Sequence, residues 1–278
     1  MNLIIQGAEV FTQDLKQLAK LSGAKQIENI SPEAFRLVGA DPASKSSVAN
    51  LCEPAKLDFA FVPKGQHLKN FGLLVMDMDS TLITIECIDE IADTVGIKPQ
   101  VATITASAMR GEIDFAESLT LRVSLLKGLD ESALQKVYDQ RLQLTPGVEK
   151  LMAKTKSLGI KTLLVSGGFT FFTSRLQARL GLDYTASCQL EIVKGKLTGK
   201  LMGPIIDAQA KADSLEKIRH ELNLKKENVI GIGDGANDLK MLATAGVSIA
   251  FHAKPVVREH ARYALNFSGL DGVLYLFD

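Results

Sequence analysis

Four short apolar runs, "GLLVMD", "KTLLVSG", "NVIGIGD" and "GVSIAF", each lead into a turn and then a helical pattern in the chain beyond residue 71. Runs that do not alternate with polar residues suit strands buried on both faces, and strands separated by helices suit a parallel sheet. The chain is therefore expected to be α/β, with a Rossmann-like parallel sheet. Ligands of such sheets bind beyond the carboxyl ends of the strands. Three of the runs end on reactive side chains, Asp77, Ser166 and Asp234, which predicts one site along one sheet edge.

The segment before this sheet has a different grammar. "NLIIQG", "QIENI", "AFRLVGA" and "DFAFVP" read as strands, with helices over "TQDLKQLAKLSG" and "SKSSVANLCEPAKL". The order β-α-β-β-α-β is that of a small ferredoxin-like α+β unit, expected over residues 1–65. "VPKGQHLKNFG" carries Pro, Lys and Gly without periodicity and reads as a linker to a second domain over 66–278. Within that domain, residues 87–142 read as four helices with no strand. A right-handed crossover needs one helix, so the surplus is expected to form a helical cap, inserted at about 87–144. "SCQLEIVKGKLTGKLMG" alternates around Lys194-Gly195 and reads as an inserted β-hairpin.

Lys+Arg and Asp+Glu both number 32, so the chain has no net charge to draw nucleic acid or an anionic membrane. No apolar run approaches the ~20 residues of a membrane span, and the N-terminus lacks the basic start of a signal peptide. Cys52, Cys87 and Cys188 are scattered; they read as reduced thiols of a cytoplasmic protein. The four histidines are not spaced as metal ligands and read as surface or satisfied groups.

In "VMDMDSTLITIE", Asp77 and Asp79 project the same way from an extended segment. Two carboxylates so close repel unless a cation or a proton lies between them. Helix capping by Asp79 or Ser80 explains one acid but not the pair. A hard cation such as magnesium explains both, with one carboxylate free to act as nucleophile and the other as general acid/base. "IGIGDGANDLKML" adds Asp234 and, one turn later, Asp238. Gly231, Gly233 and Ala236 loosely fit a dinucleotide fingerprint. Against it, Asp234 would lie inside the phosphate turn, and residues 239–258 contain no acid for a ribose hydroxyl. Ser166-Gly167-Gly168 at a strand end offers a hydroxyl and amides to an anion, although Ser-Gly-Gly is also an ordinary turn. Lys211 alone reads as a solvated helix lysine.

Taken together, these pieces resemble the haloacid dehalogenase superfamily: D-x-D-x-[TS] at Asp77–Thr81, then Ser166, Lys211, and Asp234 with Asp238. Within it, "DMDSTLITIECIDEIA", "FAESLTLRVSLLKGL", "VSGGF", "GDGANDLKM" and "AFHAKP" are similar to the phosphoserine phosphatase family from residue 71 to about 267. The resemblance implies magnesium-dependent hydrolysis of O-phospho-L-serine, the last step of serine biosynthesis. It casts Asp77 as nucleophile and Asp79 as general acid/base. Magnesium is then held by Asp77, the Asp79 main-chain carbonyl and Asp234, with Asp238 behind them or orienting Lys211. Ser166, Gly167 and Lys211 hold the phosphoryl oxygens, and Asn237 contacts substrate. Glu86 and Arg122 alone read as surface charges or a cap–core salt bridge, but the resemblance gives the ammonium to Glu86 and the carboxylate to Arg122, whose planar fork lysine cannot copy. Met109 and Phe115 read as cap core, with lining of the pocket wall as the alternative for either. Some family members carry an ACT-like domain where residues 1–65 stand. A homodimer and a monomer are both compatible with the sequence. Two rival readings are a phosphotransferase of the same fold, acting for example on homoserine, and an inactive amino-acid sensor.

Overall fold

The computed structural model describes residues 1–278. The N-terminal unit runs β1 (Asn2–Gln6), α1 (Thr12–Ser22), β2 (Gln26–Ser31), β3 (Ala34–Val38), α2 (Lys45–Cys52) and β4 (Asp58–Val62). Its strands pair antiparallel in the order β2-β3-β1-β4. Each helical crossover thus straddles one intervening strand, as the sequence order requires of a ferredoxin-like unit. Side chains alternate across the sheet. Leu3 and Ile5 pack with Leu15, Leu18 and Val48 beneath α1 and α2, while Ile4, Ala34, Ala60 and Val62 join the main core of the second unit. The sheet is therefore covered on both faces.

The second unit begins with β5 (Leu73–Met76), followed by α3 (Cys87–Asp93), α4 (Lys98–Met109), α5 (Phe115–Ser124) and α6 (Ser132–Gln140), the four helices expected of the cap. Then come α7 (Val148–Ser157), β6 (Lys161–Phe169), α8 (Thr170–Leu180), β7 (Tyr184–Val193), β8 (Lys196–Met202) and α9 (Ala208–Glu221). The chain closes with β9 (Val229–Gly233), α10 (Leu239–Thr244), β10 (Val247–Phe251), α11 (Pro255–His260) and β11 (Tyr263–Leu265). Seven strands lie in the order β11-β10-β9-β5-β6-β7-β8, parallel except for β7 with β8. Counted from β5, the parallel strands lie 6-5-4-1-2-3, the doubly wound order. The winding reverses between β5 and β9, where a crevice opens beyond the strand ends.

The cap is joined by a two-stranded ribbon. Thr84 N–H donates to the Gln143 carbonyl at 3.0 Å and Thr145 N–H to that of Leu82 at 3.1 Å, around an antiparallel bridge between Ile83 and Leu144. One expectation needs correction, and two contacts add to the picture. The hairpin is no separate insertion, because β7 pairs in parallel with β6 and extends the main sheet. The hairpin also reaches the cap, through Gly128 N–H to Leu197 O at 2.8 Å and Glu131 N–H to Gly195 O at 2.9 Å. Finally, the linker is pinned to the C-terminus: Gly65 N–H donates to Asp278 Oδ2 at 2.8 Å, Gln66 Nε2 donates to Leu276 O at 3.0 Å, and the rings of Phe71 and Phe277 meet edge to face. No helix is long and apolar enough to cross a membrane.

Candidate active site

Strand β5 is buried throughout and ends at Asp77, which is itself only 5% exposed. The next residues, Met78–Leu82, form a tight loop. Ser80 there has φ +57°, a left-handed conformation uncommon outside glycine. This turn directs Asp79 back over the strand end and lets the Ser80 hydroxyl donate to Glu86 Oε1 at 2.7 Å. Neighbouring strand β9 ends at Asp234, whose Oδ1 accepts from the Thr81 hydroxyl at 2.9 Å. Asp238 is fully buried, and its Oδ2 accepts from the amides of Asp234 at 3.1 Å and Gly235 at 3.0 Å. These bonds hold oxygens of Asp77, Asp234 and Asp238 within 4.8 Å of one another.

One cation answers this cluster. Lys211, in the first turn of α9, has no exposed surface, and its Nζ lies 2.7 Å from both Asp77 Oδ1 and Asp238 Oδ1. Burial alone would lower its pKa, but the two carboxylates outweigh burial and raise it, so the ammonium stays charged. Burial raises Asp77 well above the usual carboxylate range, and Asp238 adds to the shift against the pull of Lys211. Burial and then Asp238 push Asp234 up to about 6. Three acids sharing one lysine leave surplus negative charge. That surplus and the all-oxygen donor set fit a hard divalent cation.

Asp79 stands apart from the cluster. Its Oδ1 accepts from the Cys87 amide at 3.3 Å, and burial, followed by the charge of Glu86, raises it to about 7. Poised there, a carboxyl can both give and take a proton near neutral pH. On β6, Ser166 is 1% exposed and its Oγ accepts from the Gly168 amide at 2.8 Å. A side chain at Gly167 would meet Phe115 of the cap at 2.6 Å, and one at Gly168 would meet Asp79 Oδ2 at 3.0 Å. The glycines thus let the cap and the acid approach the strand end.

Above these groups is a cavity of about 550 Å³, walled by both sheet edge and cap. Asp77, Asp79, Ser166, Gly167, Asp234 and Asn237 form its floor, and Glu86 and Arg122 face it from the cap side. Arg122 donates from Nε to Ser118 O at 3.3 Å and is partly desolvated, which lowers its pKa. Lys211 and Asp238 are not on the wall but directly behind Asp77 and Asp234. The sequence reading missed Asp89 and Lys254, which also line the cavity; nothing local distinguishes them from surface charges. Met109 and Phe115 both line the wall, the alternative the sequence left open; Met109 is 69% exposed and so is not cap core, whereas Phe115 also packs against the core. Cys52, Cys87 and Cys188 are free and buried, as the sequence suggests.

A doubly wound sheet with two acids at its first strand end, a serine at the second, a lysine on α9 and further acids after the fourth strand, β9, defines a class. Residues 71–246 match the model of the haloacid dehalogenase-like hydrolases, and the chain belongs to that family. Residues 3–48 match a second model, a domain of unknown function. A phosphoserine phosphatase from Polaromonas sp. is 51% identical over 214 residues, 75% of this chain and 91% of that one. A haloacid dehalogenase family hydrolase from Salmonella enterica serovar Typhi superposes with a TM-score of 0.90 at 34% identity, over 100% of this chain and 98% of that one. A probable phosphoserine phosphatase from Vibrio cholerae gives 0.86 at 38% identity, over 99% and 85% of the two chains.

Proposed function

We propose that the chain hydrolyses O-phospho-L-serine to L-serine and phosphate, with magnesium as its cation. The observation that carries the proposal is one cavity holding the Asp77–Asp79 pair below and Glu86 with Arg122 above. Phosphoserine has matching ends: a phosphate for the floor, and an ammonium and a carboxylate for the cap. The residues 1–65 and 66–278 are proposed as the two domains, with the cap inserted in the second.

In the first step a carboxylate oxygen of Asp77 attacks phosphorus. The bond from phosphorus to the serine oxygen breaks, and the Asp79 proton goes to that oxygen. In the second step Asp79 takes a proton from water, the water oxygen bonds to phosphorus, and the phosphorus–Asp77 bond breaks. Asp77, Asp234 and the Asp79 main-chain carbonyl would hold magnesium, which when bound screens phosphate charge from these acids. Ser166, the Gly167 amide and Lys211 steady the phosphoryl oxygens, and Asp238 fixes Lys211. Asn237 contacts substrate from the loop after β9. Arg122 grips the carboxylate in a bidentate fork. Monoester hydrolysis must be accelerated by lowering its barrier about 20 kcal/mol or more. General acid catalysis supplies only about 10²- to 10⁴-fold, so the nucleophile, cation, lysine and amides must act together under a closed cap.

Phosphate release from a panel of phosphorylated metabolites, with magnesium and with chelator, tests the reading. O-phosphoserine is expected to lead the panel and to lose turnover in chelator. Equal rates on esters that lack the amino-acid end would overturn the substrate assignment. Transfer to homoserine in preference to water would replace hydrolysis with phosphotransfer.

A further inference from the structure

We propose that Asp89 is a second acceptor for the substrate's ammonium group, and so a specificity-determining residue beside Glu86; this rests on the phosphoserine reading and deepens it. Helix α3 begins in the wall of the active-site cavity. Glu86 stands immediately before its first residue and Asp89 in its first turn, and a spacing of three puts both side chains on one face of the helix. Both line the cavity, and Asp89 is half-buried there. The other acids of α3 are already answered. Glu90 accepts from Lys98 Nζ at 3.0 Å and from Arg141 Nη1 at 2.6 Å, and Asp93 accepts from Arg141 Nη1 at 2.6 Å. Asp89 has neither hydrogen bond nor ion pair, and burial holds its carboxyl above the ordinary range against the pull of Arg122 and Lys98. An acid at the third position of a helix can serve by accepting from the main-chain amide before it, but no amide donates to Asp89.

Glu86 alone does not satisfy an ammonium. Its Oε1 already accepts from the Ser80 hydroxyl at 2.7 Å, whereas an ammonium brings three N–H donors. Those donors lose water as the cavity closes, and each then needs an acceptor. A carboxylate one turn along the same helix face supplies one, and its charge makes the bond stronger than a neutral oxygen would. Across the cavity, Arg122 feels Asp89 more strongly than any other carboxylate, yet the two form no ion pair. Opposite charges that face one cavity without touching suit a zwitterion seated between them, its ammonium toward Glu86 and Asp89 and its carboxylate toward Arg122.

Steady-state kinetics of the full chain and of Asp89→Asn, in magnesium, tests this on three esters. O-phosphoserine carries both head groups, O-phosphoethanolamine lacks the carboxylate, and 3-phospholactate has a hydroxyl in place of the ammonium. In Asp89→Asn, kcat/KM is expected to fall about tenfold or more on both ammonium esters relative to phospholactate, chiefly through KM, because a charged hydrogen bond is lost. Each preference is a ratio taken on one sample, so it does not depend on the fraction folded. A loss confined to the two carboxylate esters would overturn the proposal, because Asp89 would then be a support for Arg122. A native preference for phosphoserine over phospholactate that Asp89→Asn keeps would remove Asp89 alone and leave the phosphoserine reading standing. A native chain with no such preference would remove that reading, and Asp89 with it.

Discussion

The Nζ of Lys211 lies 2.7 Å from Oδ1 of Asp77, and neither side chain is more than 7% exposed. Lys211 and the proposed nucleophile are thus one buried ion pair, extended by Asp238 at the same distance. Removing one member of such a pair leaves uncompensated charge, typically worth about 3–5 kcal/mol. Lys211→Met is expected to destabilise the metal-free protein by about that amount and to lower kcat/KM at least about 10²-fold. Urea unfolding in chelator checks the first effect; an unchanged midpoint would show that the cluster does not need its lysine.

Asp77→Asn should behave differently. The amide keeps the shape, and its oxygen still accepts from the Met78 amide, a 2.7 Å bond to the carboxylate in the native chain. It also removes one negative charge from a crowded cluster. Turnover is expected to fall at least about 10⁴-fold, as when a lone nucleophile is removed, with unfolding in chelator no easier than for the native chain. Hydrolysis at the native rate would remove Asp77 as nucleophile.

The chemistry at the strand ends was legible because it conflicts with its setting. Asp77 and Asp234 follow runs that burial alone would continue with apolar residues. The cap was legible from one surplus of helix, but the exposure of Met109 depends on where α4 stops against the cavity mouth, which no periodicity encodes. Strand β11 has three residues, too few to show any pattern. The pinning of the linker is equally nonlocal, since its partners come from the last residues of the chain.

Burial also sets a pH dependence of stability. Asp79 and Asp234 are raised in the folded chain to about 7 and about 6, from an ordinary value of 3.8. Between the ordinary and raised values the folded state binds more protons than the unfolded one, so stability falls as pH rises through this window. Above about 7 the loss from these groups is complete. In chelator, Tm is expected to be higher at pH 5.5 than at pH 8, at about 2–4 °C per kcal/mol for a chain of this size. Magnesium should raise Tm most at pH 8, where the acids are ionised. A chelated Tm that climbs from pH 5.5 to 8 would contradict the carboxylate shifts.

Arg122 faces the cavity without a direct ion pair: its one hydrogen bond in the chain goes to the Ser118 carbonyl. A guanidinium left unpaired on a cavity wall is available to a ligand. A charged hydrogen bond is worth about 1.5–3 kcal/mol, so Arg122→Ala should reduce kcat/KM on phosphoserine by roughly 10- to 100-fold. Phosphoethanolamine, which lacks the carboxylate, should lose little. Arg122→Lys should recover only part of the loss, because an ammonium cannot form the fork. Equal losses on both esters would take Arg122 out of carboxylate recognition.

Asp58 ties the two units together. It is 2% exposed at the start of β4, and its carboxylate accepts from the amides of Asn266, Phe267 and Ser268 at 2.6, 3.0 and 2.8 Å. These donors lie more than 200 residues further along the chain, and "DFAFVP" by itself reads only as a strand with an acid at its start. Because Ile4, Ala34, Ala60 and Val62 share the main core as well, separating the units would expose apolar surface and orphan three amides at once. The native chain should therefore unfold in one transition. Asp58→Ala leaves the amides without an acceptor and is expected to cost on the order of 3 kcal/mol. It should leave phosphate release nearly unchanged at temperatures where the variant is folded, because Asp58 does not line the active-site cavity. Urea unfolding followed by circular dichroism and by activity tests both statements: the two curves should coincide, and two separate native transitions would show that the N-terminal unit stands alone.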